Sequence, residues 1–464
     1  MSARNRELLA LIPVALLLIG GFSAVFIVRS DQIGDLSLIY GGYFFAICLG
    51  AHLLLRFRLP YADPYLFPLV AALAAVGLVV LFRINEDLAV RQASLFLGGL
   101  GLFALTIIFL KDYHVLERYR YLIAVGSILI MFSPYLLRNE VNGAYLQVDL
   151  GPASFQPSEF AKIGVVIFLA SYLAERRELL SVAARRFAGL TIPPLKHFGP
   201  LLVVWGGAMM MLLFVRDLGS SLMFFGAFLA LLYVATARIS YVIVGIAIFA
   251  VGAFVMSHAL PSIFSHVQER IDIWTDPFSK NAPEGAGQIQ QSLFAQADGG
   301  LFGTGLGESL LRLPGPFFPS GCTEAFPFCG SILPEPHTDF IYAVIVSELG
   351  LFGGAGLILI YALITARGFK TAIVARDGFS KLLATGLTAI FALQTFVIIG
   401  GVTKVIPLTG VTLPFVSFGG SSVIANMILV ALLLLISNEA RRPLPERGPG
   451  DDLGMGDDVG AVTA

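Results

Sequence analysis

HTDFIYAVIVSELGLFGGAGLILIYALITA, residues 337–366, decides the fold. Behind its first residues the run is apolar over a length that crosses a bilayer core as helix, which takes about 20 residues. Yet it opens on His337, Thr338 and Asp339 and carries Glu348 further in. A charged side chain at the bilayer centre costs on the order of 2.5–3.5 kcal/mol, so acids kept in such places are functional candidates.

The rest of the chain has the same character. Its 464 residues are 57% hydrophobic and 13% charged, with mean hydropathy +0.84, whereas a soluble protein carries roughly 25% charged residues. That excludes a soluble globular protein and predicts an all-α, polytopic integral membrane helical bundle. Twelve transmembrane helices are expected, near 9–28, 36–55, 66–82, 94–110, 120–137, 160–175, 199–215, 219–236, 239–258, 340–366, 382–401 and 418–437. The first is followed by RSDQ rather than a small-residue cleavage site, so it reads as retained.

Lys and Arg set the orientation. With the N-terminus inside, 20 of the 30 fall in cytoplasmic segments and 9 outside, with Lys162 in a span. Both termini are therefore expected in the cytoplasm, and residues 138–159, 259–339 and 402–417 outside. The tail from Arg441 is rich in Pro, Gly and Asp, a composition that predicts disorder. Cys322 and Cys329, in GCTEAFPFCG, lie in the long outside loop, where either a disulfide or two unpaired thiols fits an oxidising compartment. The six His are scattered, so no dedicated metal site is expected.

Four polar stretches stand out. In QPSEFAK, Glu159 and Lys162 are three apart and share a helical face; they form either a mutual ion pair or a cation that Glu159 positions to meet an anion. In RDLGSS, Arg216 can snorkel to the headgroups, and Asp217 with Ser220 and Ser221 suits a helix cap. In the long loop, Ile289, Leu293 and Phe294 among Gln288, Gln291 and Gln296 predict a short amphipathic helix. The glycines from 299 to 307 read as a tight loop whose amides can face a polar ligand. Finally, VTKVIPLTGVTLPFVSFGGSS (402–422) combines helix-breaking Pro407 and Pro414 with Ser417, Ser421 and Ser422. Irregular backbone at membrane depth survives only where protein or water covers it. A re-entrant segment is expected, with Lys404 near its rim. All four stretches open outward, as one polar cleft.

On these residues the chain resembles the SEDS family (shape, elongation, division and sporulation proteins), in its RodA/FtsW branch and most like actinobacterial RodA-type members. The stretches that carry the resemblance are NGA (142–144), SFQPSEFAK (154–162), ERIDIWTDP (269–277), QIQQSLFAQADGGLFGTGLG (288–307), LPEPHTDFIYAVIVSELG (333–350) and PLTGVTLPFVSFGGSS (407–422). The resemblance divides the chain into an extra N-terminal transmembrane hairpin (1–62), a ten-helix SEDS membrane domain (63–440) and a cytoplasmic tail (441–464). It implies polymerisation of lipid II into glycan strands at the outer face of the plasma membrane, beside a class B penicillin-binding protein. Carried over by position, Asp339 matches the family's proposed catalytic acid, Glu159 and Lys162 its QPSE-x-x-K pair, and Arg270 its ERI arginine. A Mg²⁺ or Mn²⁺ ion enters only through that resemblance. Nucleic acid is not among the expected partners. The family's NGA-R-R-W run reads NGAYLQ here, with Gln147 at the tryptophan position, and its EELG reads SELG.

The chemistry assigned to these residues is glycosyl transfer. Asp339 is the expected general base on an acceptor hydroxyl, with Thr338 and Asp339 as a helix N-cap the structural alternative. Lys162, Arg270 and Lys404 are expected to hold diphosphates, while Gln288, Gln291, Ser417, Ser421 and Ser422 line the substrate cleft. His337 reads as a loop histidine and Glu348 as a buried packing or gating acid. A lipid II flippase and a non-catalytic scaffold for the penicillin-binding protein are the competing functions.

Overall fold

The computed structural model describes residues 2–30, 35–137, 145, 147–149, 154–182, 185–187, 190–192, 206, 217–259, 261–279, 283, 285–309, 333 and 335–443. Arg216, the NGA stretch, Cys322, Cys329, the tail from 444 and nearly all of the span expected at 199–215 lie outside them.

The chain is a helical bundle. Helices α1 (Ala3–Ser30) and α2 (Asp35–Arg58) form the N-terminal hairpin. They are followed by α3 (Leu66–Ile84), α4 (Glu86–Phe109), the single turn α5 (Val115–Arg118) and α6 (Arg120–Leu136). A two-residue antiparallel hairpin, β1 (Val148–Asp149) and β2 (Ser154–Phe155), leads into α7 (Pro157–Val182). A second small hairpin, β3 (Arg185–Phe187) and β4 (Leu190–Ile192), follows it. Next come α8 (Leu218–Thr236), α9 (Ile239–Ala259), α10 (Pro261–Thr275) and α11 (Ala286–Gly299). The chain closes with α12 (Ile341–Val374), α13 (Gly378–Val402) and α14 (Gly420–Arg441).

Among the described residues, nine helices are long and apolar enough to cross a membrane; α6, at 17 residues, is shorter. Their starts have local causes. Asn85 accepts from the amides of Asp87 and Leu88 to open α4, Asp217 from Ser220 to open α8, and Asp377 from Ser380 to open α13. The capping expected of Asp217, Ser220 and Ser221 is what the structure has. At the centre is α7, with 89% of its apolar stretch buried, against 28% in each of α1 and α2, which flank the bundle. α14 packs on α4, α12 and α8 on α13, and α6 on α7.

The two described ends of the chain share one face. Arg4 donates to the Ala62 carbonyl and pairs with Glu7, which also bonds His52. At the other end Arg441 pairs with Asp63 at 2.7 Å, and Arg367, late in α12, approaches Asp63 at 3.7 Å. The start of α12, where Asp339 stands, is consequently on the opposite face.

Within 259–339 the short amphipathic helix expected around Ile289, Leu293 and Phe294 is α11, and α10 is a second helix that was not expected. One expectation changes here. The glycine loop docks on backbone where a polar ligand was expected: the amides of Thr304 and Gly305 donate to the carbonyls of Ser347 and Glu348. The amides of Leu351 and Phe352 donate back to Gly300 and Leu301. Gly350 makes this docking possible. Its φ of 70° breaks α12, and a Cβ there would lie 2.4 Å from the Gly303 nitrogen and the Leu301 carbonyl oxygen. Below the break Glu348 is buried, paired with Arg83 at 3.0 Å and accepting from Ser309 Oγ at 2.6 Å. It is the packing acid the sequence suggests.

Candidate active site

Residues 335–340 form the threshold of α12. Glu335 adopts a φ of 44°, and its carbonyl accepts from the amides of Thr338 and Phe340, folding the segment into a tight turn. The N-cap position falls on Phe340 and has no side-chain cap, so Asp339 is not consumed by capping. The structure thus sets aside the capping alternative.

The re-entrant segment clamps this turn from the side. Ser417 Oγ donates to the Thr338 carbonyl at 2.6 Å and itself accepts from the Leu413 amide at 2.9 Å, while the Phe418 amide donates to the His337 carbonyl at 2.8 Å. The backbone on both sides of Asp339's own turn is therefore held by neighbours, and its carboxylate accepts no hydrogen bond from the described residues. From α10, Arg270 donates through Nη1 to the Leu408 carbonyl at 2.8 Å. Gly410, with φ of 72°, leaves the space between the two side chains open. A Cβ there would sit 3.8 Å from Asp339 Oδ2 and 3.9 Å from Arg270 Nη2. Acid and guanidinium converge over that glycine.

The electrostatics follow from this placement. Burial pushes the Asp339 carboxyl up to about 7; the Glu335 charge adds to the rise and Arg270 opposes it. Burial also lowers the His337 imidazole, keeping it neutral, with Glu335 acting against that. Near neutral pH the site thus holds a carboxyl poised between its two forms, beside a fixed cation.

The other expected site residues are placed as follows. Glu159 and Lys162 are buried in a closed network, away from any open surface. The Lys162 ammonium donates to Glu159 Oε2 (2.6 Å), Gln394 Oε1 (2.7 Å) and Asn426 Oδ1 (3.3 Å), which uses its three protons. Direct contact of Lys162 with a diphosphate is therefore corrected to a positioning role: Gln394 carries the network on to the Thr412 carbonyl of the re-entrant segment at 3.0 Å. Ser417 is the clamp described above. Ser421 accepts from the Gln156 amide and Ser422 from Asn426, so these three hydroxyls hold backbone and neighbours rather than line a cleft. Gln288 is exposed and Gln291 half-buried on α11, whereas their neighbours Gln290 and Gln296 make the anchoring bonds, to the Pro277 and Val402 carbonyls. Lys404 is half-buried at φ of 61°, with its ammonium 3.4 Å from the Thr275 carbonyl at the end of α10.

Sequence reading missed Gln394 and Asn426. Both are neutral amides inside apolar spans, and weighing such amides as heavily as charges would have found them. No three His, Cys, Asp or Glu side chains converge as metal ligands among the described residues. A Mg²⁺ or Mn²⁺ ion here would take most of its oxygen ligands from a bound diphosphate and water, as hard cations do in such sites.

Fold and site together define a multi-pass membrane protein with a base-like acid and an arginine on the face opposite its termini. The chain belongs to the FtsW/RodA/SpoVE family of cell cycle proteins, the SEDS family, whose profile matches residues 63–442 and leaves α1 and α2 outside. It is 39% identical to the peptidoglycan glycosyltransferase RodA of Mycobacterium tuberculosis (strain H37Rv), over 96% of this chain and 93% of that one. It is 34% identical to a probable peptidoglycan glycosyltransferase FtsW of Aeromonas salmonicida, over 84% of this chain and 95% of the relative. Among solved structures, a chain from a study of how a peptidoglycan synthase complex coordinates polymerization and crosslinking aligns with TM-score 0.63 and 27% identity. That alignment spans 82% of this chain and 99% of the other.

Proposed function

We propose that this protein is a peptidoglycan glycosyltransferase that polymerises lipid II at the outer face of the plasma membrane, in cell shape or division. The observation that carries the reading is the convergence of Asp339 and Arg270 over Gly410. The Lys/Arg distribution supports cytoplasmic termini, which puts that pair outside, where lipid-linked disaccharides present their sugars. The relatives' names support the reaction class, and the synthase-complex neighbour supports a class B penicillin-binding protein as partner.

In the reaction, Asp339 in its ionised form removes the proton from the GlcNAc 4-hydroxyl of one lipid II. The freed oxygen attacks the anomeric carbon of the second, forming the glycosidic bond as the bond to the prenyl diphosphate breaks. The diphosphate leaves with its electron pair, and the configuration inverts. Arg270 faces the developing charge, where preorganised cations are most effective, and Lys404 at the rim guides the diphosphate. A divalent ion bound there would supply further charge neutralisation.

Purified protein with its penicillin-binding partner in detergent, given labelled lipid II, tests this. Glycan strands are expected without any bilayer. Translocation seen only in vesicles would make it a flippase instead, and a wild-type preparation without product in either setting would leave a scaffold.

A further inference from the structure

On the face opposite Asp339 lies a cavity of about 820 Å³, between the ends of α2, α4, α12 and α14. Its rim carries Arg58, Lys111, Arg376 and Arg442, each on a different segment and each exposed. Its carboxylates are Asp112 and Glu439, so the four cations leave the lining positive by two charges, His114 aside. Asp112 is already engaged, accepting from the His114 amide at 2.9 Å and lying 3.0 Å from its Nδ1. Arg376 reaches the Arg442 carbonyl. Arg58, Lys111 and Arg442 make no side-chain hydrogen bond or ion pair with the described residues. The floor is different: Leu59, Ile107 and Leu435 are apolar and buried. Ile107 lies two residues before the end of α4, so the cavity straddles the level where spans end and headgroups begin.

We propose that this cavity binds the headgroup of an anionic phospholipid from the leaflet on the termini's side. Cations in such a position attract anionic headgroups at about 1 kcal/mol each, and the volume is that of a ligand pocket, roughly 300–1,000 Å³. The apolar floor is what separates a lipid from a free phosphate, since it offers acyl chain contact that an inorganic anion cannot use. Because Arg58 comes from the N-terminal hairpin, the lipid would tie that hairpin to the family core.

The test is native mass spectrometry of the full-length protein released from nanodiscs of phosphatidylglycerol or phosphatidylcholine. Wild type is expected to keep a phosphatidylglycerol molecule and lose phosphatidylcholine. Arg58→Ala/Lys111→Ala should weaken that retention on the order of 10-fold or more, and Arg58→Lys/Lys111→Arg should restore it. Both residues are exposed, so the variants keep the fold, checked by melting temperature. Equal retention of the two lipids, or no change in the alanine variant, overturns the proposal. So does displacement of the lipid by inorganic phosphate alone, which would make this a free-anion site.

Discussion

Asp339 is held near neutrality by opposing forces, and each can be removed separately. Burial and Glu335 raise its pKa to about 7, and Arg270 pulls it down. A base must be ionised, so glycosyl transfer should fall as pH drops, with a limb in the pH profile of kcat/KM near 7. Arg270→Ala removes the lowering influence; the limb should move to higher pH besides any loss of rate. An unmoved limb would show the two groups uncoupled. The stability linkage has the opposite sense. The folded state binds more protons than the unfolded one between the unfolded pKa of 3.8 and about 7, so this group's penalty grows with pH across that window and is complete above it. Asp339→Asn should accordingly raise the melting temperature at pH 8 and leave it little changed near pH 4. Ser417 acts on the same acid through backbone. Losing its bond to the Thr338 carbonyl removes about 0.5–1.5 kcal/mol of positioning. Steady-state kinetics of Ser417→Ala should show kcat down about 2- to 12-fold with KM nearly unchanged.

Between elements, a buried polar network joins α7, α13 and α14 beneath the re-entrant segment. Glu159, Lys162, Gln394 and Asn426 are each at most 2% exposed, so none can be removed without stranding another. Lys162→Ala leaves the Glu159 carboxylate unpaired in the bundle, a change that costs about 3–5 kcal/mol. The double replacement Lys162→Met with Glu159→Gln removes both charges and should recover much of that loss in detergent thermal melts. An equal loss in the two would mean that the charges are not coupled. The pairing of Glu159 with Lys162 was legible from their i, i+3 spacing, because it is a property of one helix. The rest was not, since Gln394 and Asn426 come from helices more than 200 residues away in sequence. The loop glycines mislead for a similar reason. Spacing shows that backbone is free to approach something, and only the fold shows that the something is the broken turn at Gly350.

Over the whole molecule, hydropathy reads the membrane architecture well because bilayer thickness imposes one length on every span. It reads poorly whatever is not a simple span. α10 lies in a stretch where a charged face dilutes the apolar signal, and α12 runs to Val374, beyond its expected end, across a break that hydropathy does not register. The site was legible as a list of polar positions, and Asp339 and Arg270 do come to face each other across Gly410. Ser417, Ser421, Ser422 and Lys162 turned inward instead, because residue type does not reveal which way a hydroxyl or ammonium points. The account as a whole rests on one carboxylate doing the proton transfer for a reaction on the face away from the termini. The most direct measurement compares wild type with Asp339→Asn, both with the penicillin-binding partner, in polymerisation of labelled lipid II. A positioned base contributes about 10²–10⁴-fold, so strand formation should fall by at least about 100-fold while partner binding persists and the melting temperature is no lower than that of wild type. Strands made by Asp339→Asn at close to the wild-type rate would contradict the account.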